Sequence, residues 1–175
     1  MPTLKEQTQE KHTEAENLPF IQSIFSKTVD TDQYADYLYQ LYMIYQMMET
    51  IAGKKLGTYE GLDGLERSAA IGQDFEELAI PGKAYVIKES TLKYMQYIMD
   101  ITNHDDLIAH MYVRYLGDLN GGQIFANLVP GSGKMFQFEN KDELTTNFKA
   151  KLKDEMGPEA CIAFDYNIDI VKEYS

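Results

Sequence analysis

The residues with the clearest chemical potential are three glycines and one carboxylate inside a helical pattern. Gly117, Gly121 and Gly122 interrupt an apolar pattern that continues on both sides, and Asp118 stands among them. A glycine within a helix costs about 1 kcal/mol relative to alanine, so an offsetting gain is expected. Gly117 and Gly121 share one helix face, where the missing Cβ atoms would let a flat ligand approach the backbone. A glycine kink or a tight helix crossing would explain the same spacing.

Three histidines could supply an imidazole ligand for a metal. His12 lies in a helical pattern with Glu16 one turn later, where a carboxylate can orient an imidazole. On spacing alone, an ordinary core or surface histidine and a solvated glutamate fit these positions as well. His110 precedes Gly117 by about 10.5 Å along a helix, which is far for a group meant to meet a metal above that glycine. We therefore interpret His110 as a hydrogen-bonded core histidine and His104 as an exposed one.

Nearly the whole chain has helical periodicity, and no strand or repeat is needed to explain it. Asp30 and Asn103 are positioned as N-caps, Asn140 with Glu143 starts a later helix, and Pro158 suits the first turn of the last one. These signals predict a single all-α domain over residues 1–175. The predicted helices cover 3–17, 20–25, 30–56, 65–79, 91–102, 103–128, 140–156 and a final stretch from 157 onwards.

Composition excludes several classes of function. The formal net charge of −12 argues against nucleic-acid binding and against an anionic membrane surface, which both need cationic patches. The single cysteine, Cys161, cannot form an intramolecular disulfide and is expected to be a small buried residue. The N-terminus lacks a signal-peptide core, and no stretch approaches the ~18 apolar residues of a membrane span. We expect a soluble, cytoplasmic protein.

Three segments resemble the heme oxygenase family. Residues 112–123, YVRYLGDLNGGQ, resemble the signature of its distal helix. Residues 4–17, LKEQTQEKHTEAEN, resemble its proximal-histidine helix, and residues 163–168, AFDYNI, give a weaker match. The matches follow the family's order and span nearly the whole chain. The resemblance implies an all-α fold in which heme lies between a proximal helix and a glycine-rich distal helix.

The resemblance also implies a reaction. The chain would be an oxidoreductase that binds heme b as both substrate and prosthetic group and consumes O2 and reducing equivalents. It would open the ring at the α-meso carbon and release biliverdin IXα, carbon monoxide and ferrous iron. The electron donor would be reduced ferredoxin or another reductase, and a bilin reductase could act downstream.

Residue roles follow from the same resemblance. His12 would be the axial iron ligand and Glu16 would orient its imidazole. Gly117 and Gly121 would let the backbone steer the iron's distal ligand, and Asp118 would anchor ordered water that delivers protons. A surface carboxylate is the plainer interpretation of Asp118.

The two heme propionates would need cationic or hydrogen-bonding partners. The resemblance assigns this role to Lys5, Tyr112, Arg114, Lys149 and Lys153, and it places Phe164 and Asn167 at the heme edge. We expect Lys149 and Lys153 to share one helix face, although solvated side chains are the ordinary interpretation of single lysines. The family usually has arginine at 153, a basic residue at Gln9 and a small hydroxyl residue at Val113. These departures weaken the assignment of propionate anchoring and of ring orientation.

Four lysines stand out in so acidic a chain: Lys11, Lys149, Lys151 and Lys153. If they cluster at an exposed heme edge, they would form a cationic docking surface for an acidic donor such as ferredoxin.

Three other functions fit parts of the pattern. The first is a heme carrier or sensor without catalysis, against which Asp118 and the glycines argue. The second is a di-iron oxidase on a helical bundle, which would use Glu-x-x-His pairs that this chain lacks. The third is a helical interaction module without a cofactor, which would leave the glycine cost unexplained.

Overall fold

The computed structural model describes residues 2–56 and 60–175, and within those ranges the chain is helical and contains no strand. Two π-helical segments, Ile51–Leu56 and Tyr112–Leu116, and two 3₁₀ segments, Lys134–Phe136 and Asp154–Met156, lie between α-helices of the described ranges. No helix in this part of the chain combines the length and the apolar character needed to cross a bilayer. The α-helices are α1 (Leu4–Glu16), α2 (Pro19–Phe25), α3 (Thr31–Thr50), α4 (Ser68–Leu78), α5 (Glu89–Met99), α6 (His104–Met111), α7 (Gly117–Phe125), α8 (Lys141–Lys149) and α9 (Gly157–Lys172).

Helix α3 carries a broad stripe of apolar residues and is the centre of the hydrophobic core. Leu38, Tyr45 and Met48 are completely buried in one core cluster. Helices α4 and α5 pack against α3, whereas α1 packs against α9. The all-α fold predicted from the sequence is confirmed.

Helix starts depend on both local and distant caps. The predicted N-caps Asp30 and Asn103 accept hydrogen bonds from the backbone N–H groups of Gln33 and Asp106, at 3.0 and 2.8 Å. Asn140 is the N-cap residue of α8, so the predicted helix start is confirmed, although its side chain makes no capping hydrogen bond. Helix α4 begins at Ser68 rather than at the predicted residue 65.

Helix α3 supplies the cap of α4 from a distance. A carboxylate oxygen of Glu49 accepts the backbone N–H of Arg67 at 2.6 Å, and Ser68 N lies 3.2 Å from the other oxygen. These bonds satisfy donors that the first turn of a helix leaves without partners. The start of α4 is therefore fixed by α3.

The glycine-bearing helix is not one uninterrupted α-helix. The prediction of a single helix over 103–128 is wrong in detail, because α6 widens into the π segment Tyr112–Leu116 before α7 resumes at Gly117. We call residues 104–125 the distal segment. Single π turns inside α-helices are rare, and those that occur are often found at functional sites. Here the wide turn immediately precedes Gly117 and Asp118.

Helix α8 is shorter than predicted, which moves one expected site residue. It ends at Lys149, and Lys153 has extended backbone angles, φ −137° and ψ 145°. The following residue, Asp154, is held by α1: its carboxylate accepts the Leu4 N–H at 2.9 Å and its carbonyl accepts Gln7 Nε2 at 2.7 Å. These bonds draw the chain away from the axis of α8. The expectation that Lys149 and Lys153 share a helix face is therefore wrong.

Candidate functional site

A cavity of about 750 Å³ lies where α1, α2, α3 and the distal segment come together. This volume falls within the range of cavities that bind cofactors and other small molecules. Both resembled motifs contribute to its wall. The sequence-predicted site residues on the wall are Lys5, His12, Glu16, Tyr112, Arg114, Gly117, Asp118, Gly121, Lys149 and Phe164.

The glycines of the distal segment have two different roles. A Cβ added to Gly117 would meet no atom within 4 Å, and one added to Gly121 would meet only the Phe125 ring at 4.0 Å. Both residues line the cavity, so no helix crossing accounts for their missing side chains. A Cβ on Gly122 would lie 2.8 Å from Phe136, so this glycine is required for packing. The interpretation of Gly117 and Gly121 as sites of close approach to a ligand therefore gains support.

Asp118 is a buried carboxylate with one dominant partner. It is 8% exposed, and its Oδ2 accepts a hydrogen bond from the Tyr45 hydroxyl at 2.5 Å. Burial raises the pKa of Asp118 to about 7, against the opposing effects of the Tyr45 hydrogen bond and the Arg114 charge. A carboxyl group with this pKa exists in both protonation states near neutral pH. The plainer interpretation of Asp118 as a surface carboxylate is wrong.

His12 lines the cavity with an accessible imidazole. Its side chain is 51% exposed, and its Nε2 lies 3.3 Å from Glu16 Oε1. The Phe164 ring lies edge-on to the imidazole, with centroids 6.1 Å apart. Glu16 can therefore orient the ring through one nitrogen while the other is available as a ligand.

Basic and hydroxyl groups at the cavity fit an anionic ligand. Lys5 and Lys149 line the cavity and are exposed. The hydroxyl of Tyr112 lies 3.5 Å from Thr8 Oγ1, which joins the distal segment to α1. Lys5, Lys149 and Tyr112 could bind carboxylates through charge and hydrogen bonds.

Two predicted ligand contacts lie elsewhere. Lys153 is not on the cavity wall, and its Nζ pairs with Asp105 at 2.9 Å. Asn167 is also absent from the wall, because its amide oxygen accepts a hydrogen bond from Arg114 Nη1. Arg114 does line the cavity, and its guanidinium lies 5.4 Å from the centroid of the Tyr45 ring. Among the described residues, Arg114 Nε is buried and has no hydrogen-bond partner.

The other two histidines, His104 and His110, do not line the cavity. His110 is fully buried, with Nδ1 at 2.7 Å from the Tyr94 hydroxyl and Nε2 at 2.9 Å from Glu159 Oε1, so the prediction of a hydrogen-bonded core histidine is confirmed. His104 is half-buried rather than exposed. Cys161 is also only half-buried, and its Sγ lies 3.5 Å from the Gln7 carbonyl.

The four lysines do not form an open cationic surface. Lys11 pairs with Asp165 at 2.7 Å, and Lys153 pairs with Asp105. Lys149 and Lys151 have no ion pair with any residue within 2–56 and 60–175 at 4.0 Å or less. The docking surface predicted from the sequence is thus partly neutralised.

Helix α3 contributes site residues whose helical spacing is that of ordinary core residues. Tyr45 is core, but it is also the hydrogen-bond partner of Asp118. Tyr34 and Tyr37 line the cavity from the same helix. Their spacing along one apolar stripe gave no signal that separates cavity-lining tyrosines from packed ones.

Comparison with known proteins agrees with this geometry. The Heme oxygenase family model matches residues 1–173. A heme oxygenase of Guillardia theta is 30% identical over 97% of this chain and 84% of its own length. Heme oxygenase 1 of Bos taurus is 31% identical over 97% of this chain and 69% of its own length.

Solved structures have the same fold. Heme oxygenase from Leptospira interrogans superposes with a TM-score of 0.81 at 28% identity, over 97% of each chain. Heme oxygenase-1 from Synechocystis, in complex with heme, superposes with a TM-score of 0.84 at 23% identity, over 98% of this chain and 90% of the other. The match of the family model over almost the whole sequence shows that this chain belongs to the heme oxygenase family.

Proposed function

We propose that this chain binds heme b in the 750 Å³ cavity and degrades it with O2 and reducing equivalents. Ring opening at the α-meso carbon would give biliverdin IXα, carbon monoxide and ferrous iron. The observation that carries the proposal is the placement of Gly117 and Gly121 on a cavity wall that also holds His12. Bound heme would supply both the iron that activates oxygen and the ring that is cleaved.

The residues of the cavity fit this ligand. A neutral imidazole suits heme iron, and His12 offers one. Lys5 and Lys149 offer positive charge for the two carboxylates of heme. The open space at Gly117 admits a flat group against the backbone, and the unpartnered Nε of Arg114 offers a donor for water or ligand.

The proximal residues would bind and orient. Glu16 Oε1, at 3.3 Å from Nε2, would accept a hydrogen bond from the imidazole of His12 and fix its rotation. Phe164 is buried beside that imidazole and would limit its tilt. Lys5 and Lys149 would set the rotation of the ring within the cavity and hence the carbon that is attacked.

The distal residues would direct the ligand of the iron and supply protons. Gly117 and Gly121 would let the backbone press on whatever binds the iron and direct it towards one edge of the ring. Asp118 can hold a proton at Oδ1 near neutral pH, because burial raises its pKa to about 7. The Tyr45 hydroxyl fixes one carboxyl oxygen, so the other is left to orient water. The pair would therefore deliver protons from one defined position.

The electron donor we propose is reduced ferredoxin or another reductase, and a bilin reductase would use the product. Lys149 and Lys151 give a local positive charge on a chain of net charge −12. Such a charge favours an acidic donor over a basic one.

The test is a spectroscopic titration followed by turnover. Hemin is added to the purified protein, and the Soret band is recorded for the wild type and for His12→Ala. Ferredoxin, its reductase and NADPH are then supplied in air, with ascorbate as an alternative donor. Bilins are extracted and separated to identify the isomer, and carbon monoxide is trapped by ferrous myoglobin.

Each outcome decides between functions. A Soret band that decays as α-biliverdin forms would support the proposal, and a different isomer would overturn the α assignment. A His12-dependent Soret band that never decays with either donor would indicate a heme carrier or sensor. Absence of a Soret band would exclude both.

A further inference from the structure

Aromatic rings connect the cavity to a half-buried tyrosine of the last turn. Tyr37 lines the cavity from α3, and its ring centroid lies 5.8 Å from that of Tyr174, edge to face at 80°. Phe20 is 2% exposed and contacts both rings, at 5.1 Å from Tyr37 and 5.0 Å from Tyr174. We call this continuous series of rings the Tyr37–Tyr174 path.

Tyr174 also has a base for its proton. Its hydroxyl donates to Asp36 Oδ2 at 2.8 Å, and Lys88 Nζ lies 3.5 Å from the same oxygen. Burial and this hydrogen bond raise the pKa of Tyr174, so the phenol is protonated at neutral pH. A phenol loses an electron more readily when a base accepts its proton in the same event, because no charged radical cation forms. Tyr174 is therefore arranged for coupled loss of an electron and a proton.

A second pair of tyrosines, next to Asp118 but not on the cavity wall, stays in the interior. The rings of Tyr45 and Tyr115 are 5.2 Å apart and both residues are completely buried. Their hydroxyls donate to Asp118 and Glu49. A radical on this pair would remain beside Asp118 and damage the residues on which proton delivery depends. Tyr174, which is half-buried, is more accessible to small reductants.

We propose that the Tyr37–Tyr174 path conducts oxidising equivalents out of the cavity to Tyr174, where a small reductant removes them. The proposal rests on the proposed binding of heme. The oxidant is hydrogen peroxide, the product of oxygen reduction that is uncoupled from ring opening.

The proposed step consumes one molecule of hydrogen peroxide. Hydrogen peroxide gains two electrons and two solvent protons and becomes two waters. One electron comes from Tyr174 through Tyr37, and the other comes from the bound iron porphyrin. The phenolic proton of Tyr174 passes to Asp36, which leaves a neutral phenoxyl radical. Ascorbate then returns one electron to Tyr174 while Asp36 returns the proton, and a second ascorbate electron restores the iron porphyrin.

The experiment uses the hemin-loaded full chain and limiting hydrogen peroxide in the presence of a nitroso spin trap. Peptide mass spectrometry locates the trapped radical, and electron paramagnetic resonance records its amount. The variants are Tyr174→Phe, Tyr37→Phe and, as a matched control, Tyr85→Phe. Tyr85 also donates to an aspartate, Asp32 at 3.2 Å, but it does not line the cavity.

We expect the adduct on Tyr174 in the wild type and in Tyr85→Phe, and its loss from residue 174 in Tyr174→Phe and in Tyr37→Phe. Asp36→Asn keeps an acceptor for the Tyr174 hydroxyl but removes the base, so it should lower the adduct yield while the ring contacts persist. An undiminished yield in that variant would overturn the assignment of Asp36.

The Soret band of each protein separates failure of this inference from failure of heme binding. Wild-type protein without a Soret band would overturn both. A normal Soret band with the adduct on Tyr45, or with an undiminished Tyr174 adduct in Tyr37→Phe, would overturn the path alone.

Discussion

The Tyr45 hydroxyl donates to Asp118 Oδ2 at 2.5 Å and thereby joins the middle of α3 to the first turn of α7. Both residues are buried, and desolvation raises the pKa of the Asp118 carboxyl to about 7. The neutral form of the acid is therefore favoured in the folded protein. This one bond connects the proton chemistry of the site to the stability of the fold.

The buried acid predicts a pH-dependent stability of the ligand-free protein. The folded pKa of Asp118, about 7, lies above the unfolded value of 3.8, so the folded state holds the proton more tightly. This stabilisation is complete below about pH 4 and is lost as the pH rises through 7, with an upper limit of about 4 kcal/mol. Asp118→Asn should remove this slope and raise the free energy of unfolding at pH 8, as measured by urea denaturation.

Asp169→Asn is the matched control, because Asp169 is exposed on α9. It should leave the slope between pH 4 and pH 7 as in the wild type. An Asp118→Asn protein with the same slope as the wild type would contradict the assigned ionisation.

Alanine substitutions should separate the glycines that serve the ligand from the one that serves packing. Gly117→Ala and Gly121→Ala meet no close protein atom, so helix propensity should stabilise each ligand-free variant by up to about 1 kcal/mol. The new methyl group would intrude on the cavity, and hemin binding or biliverdin yield should fall. Thermal unfolding and hemin titration on the same samples measure both effects.

Gly122→Ala provides the contrast, because its Cβ would lie 2.8 Å from Phe136. This variant should lose stability by about 1–3 kcal/mol through overpacking. If Gly117→Ala and Gly121→Ala instead bind hemin and turn over like the wild type, close approach is not the role of these glycines.

The parts of the fold that sequence could predict are those set by local spacing. The stripe of α3, the Asn103 cap and the interior position of His110 depend on neighbours within a few residues. The capping of α4 by Glu49 and the hydrogen bond from Leu4 of α1 to Asp154 join segments that are distant in the sequence. No local pattern encodes such contacts.

The site residues also fall into those that the sequence could place and those that it could not. The resemblance of the two motifs predicts that His12, Gly117 and Asp118 act together, and all three line one cavity. The resemblance and the helical interval from Lys149 together predict Lys153 there, but α8 ends between them. An interval of four residues has a fixed spatial meaning only while the helix continues.

Lys149 and Lys153 should therefore differ in their effect on hemin affinity. Lys149→Ala removes a charge from the cavity wall and should weaken binding by about two- to fivefold, the magnitude of an exposed ion pair. Lys153→Ala removes only the pair with Asp105 and should leave the affinity unchanged. Hemin titrations under identical salt measure both.

Hemin dimethyl ester tests the physical cause, because it lacks the ionised carboxylates. The loss of affinity in Lys149→Ala should disappear with the ester. A loss that persists with the ester would mean that Lys149 acts through packing of its aliphatic chain.

The buried His110 should support the fold and not the ligand. It links the Tyr94 hydroxyl to the Glu159 carboxylate, so His110→Ala would leave both without this partner and open a void. We expect a loss of about 2–4 kcal/mol in urea denaturation. His104→Ala, at a half-buried position, should cost less than about 1 kcal/mol. His110→Ala protein that folds should still give a Soret band with hemin. Loss of the Soret band in a variant that is still folded would contradict a purely structural role for His110.

The ion pairs of Lys11 and Lys153 should influence the rate at which an electron donor reduces the hemin complex. Lys11 and Lys153 are held by Asp165 and Asp105, so their charges attract an acidic donor only weakly. Asp165→Asn and Asp105→Asn would release them and should speed reduction of the hemin complex by ferredoxin by at least about twofold at low ionic strength. Stopped-flow reduction at low and high salt measures the effect, which should vanish at high salt.

Glu76→Gln makes the same change of net charge on α4, which contributes no residue to the cavity wall. At an ionic strength of about 0.1 M, where screened charges act over about 10 Å, it should leave the rate nearly unchanged. Equal acceleration by all three variants would mean that only net charge matters. Slower reduction after release of Lys11 and Lys153 would indicate a basic donor in place of ferredoxin, because freed positive charge repels a basic surface.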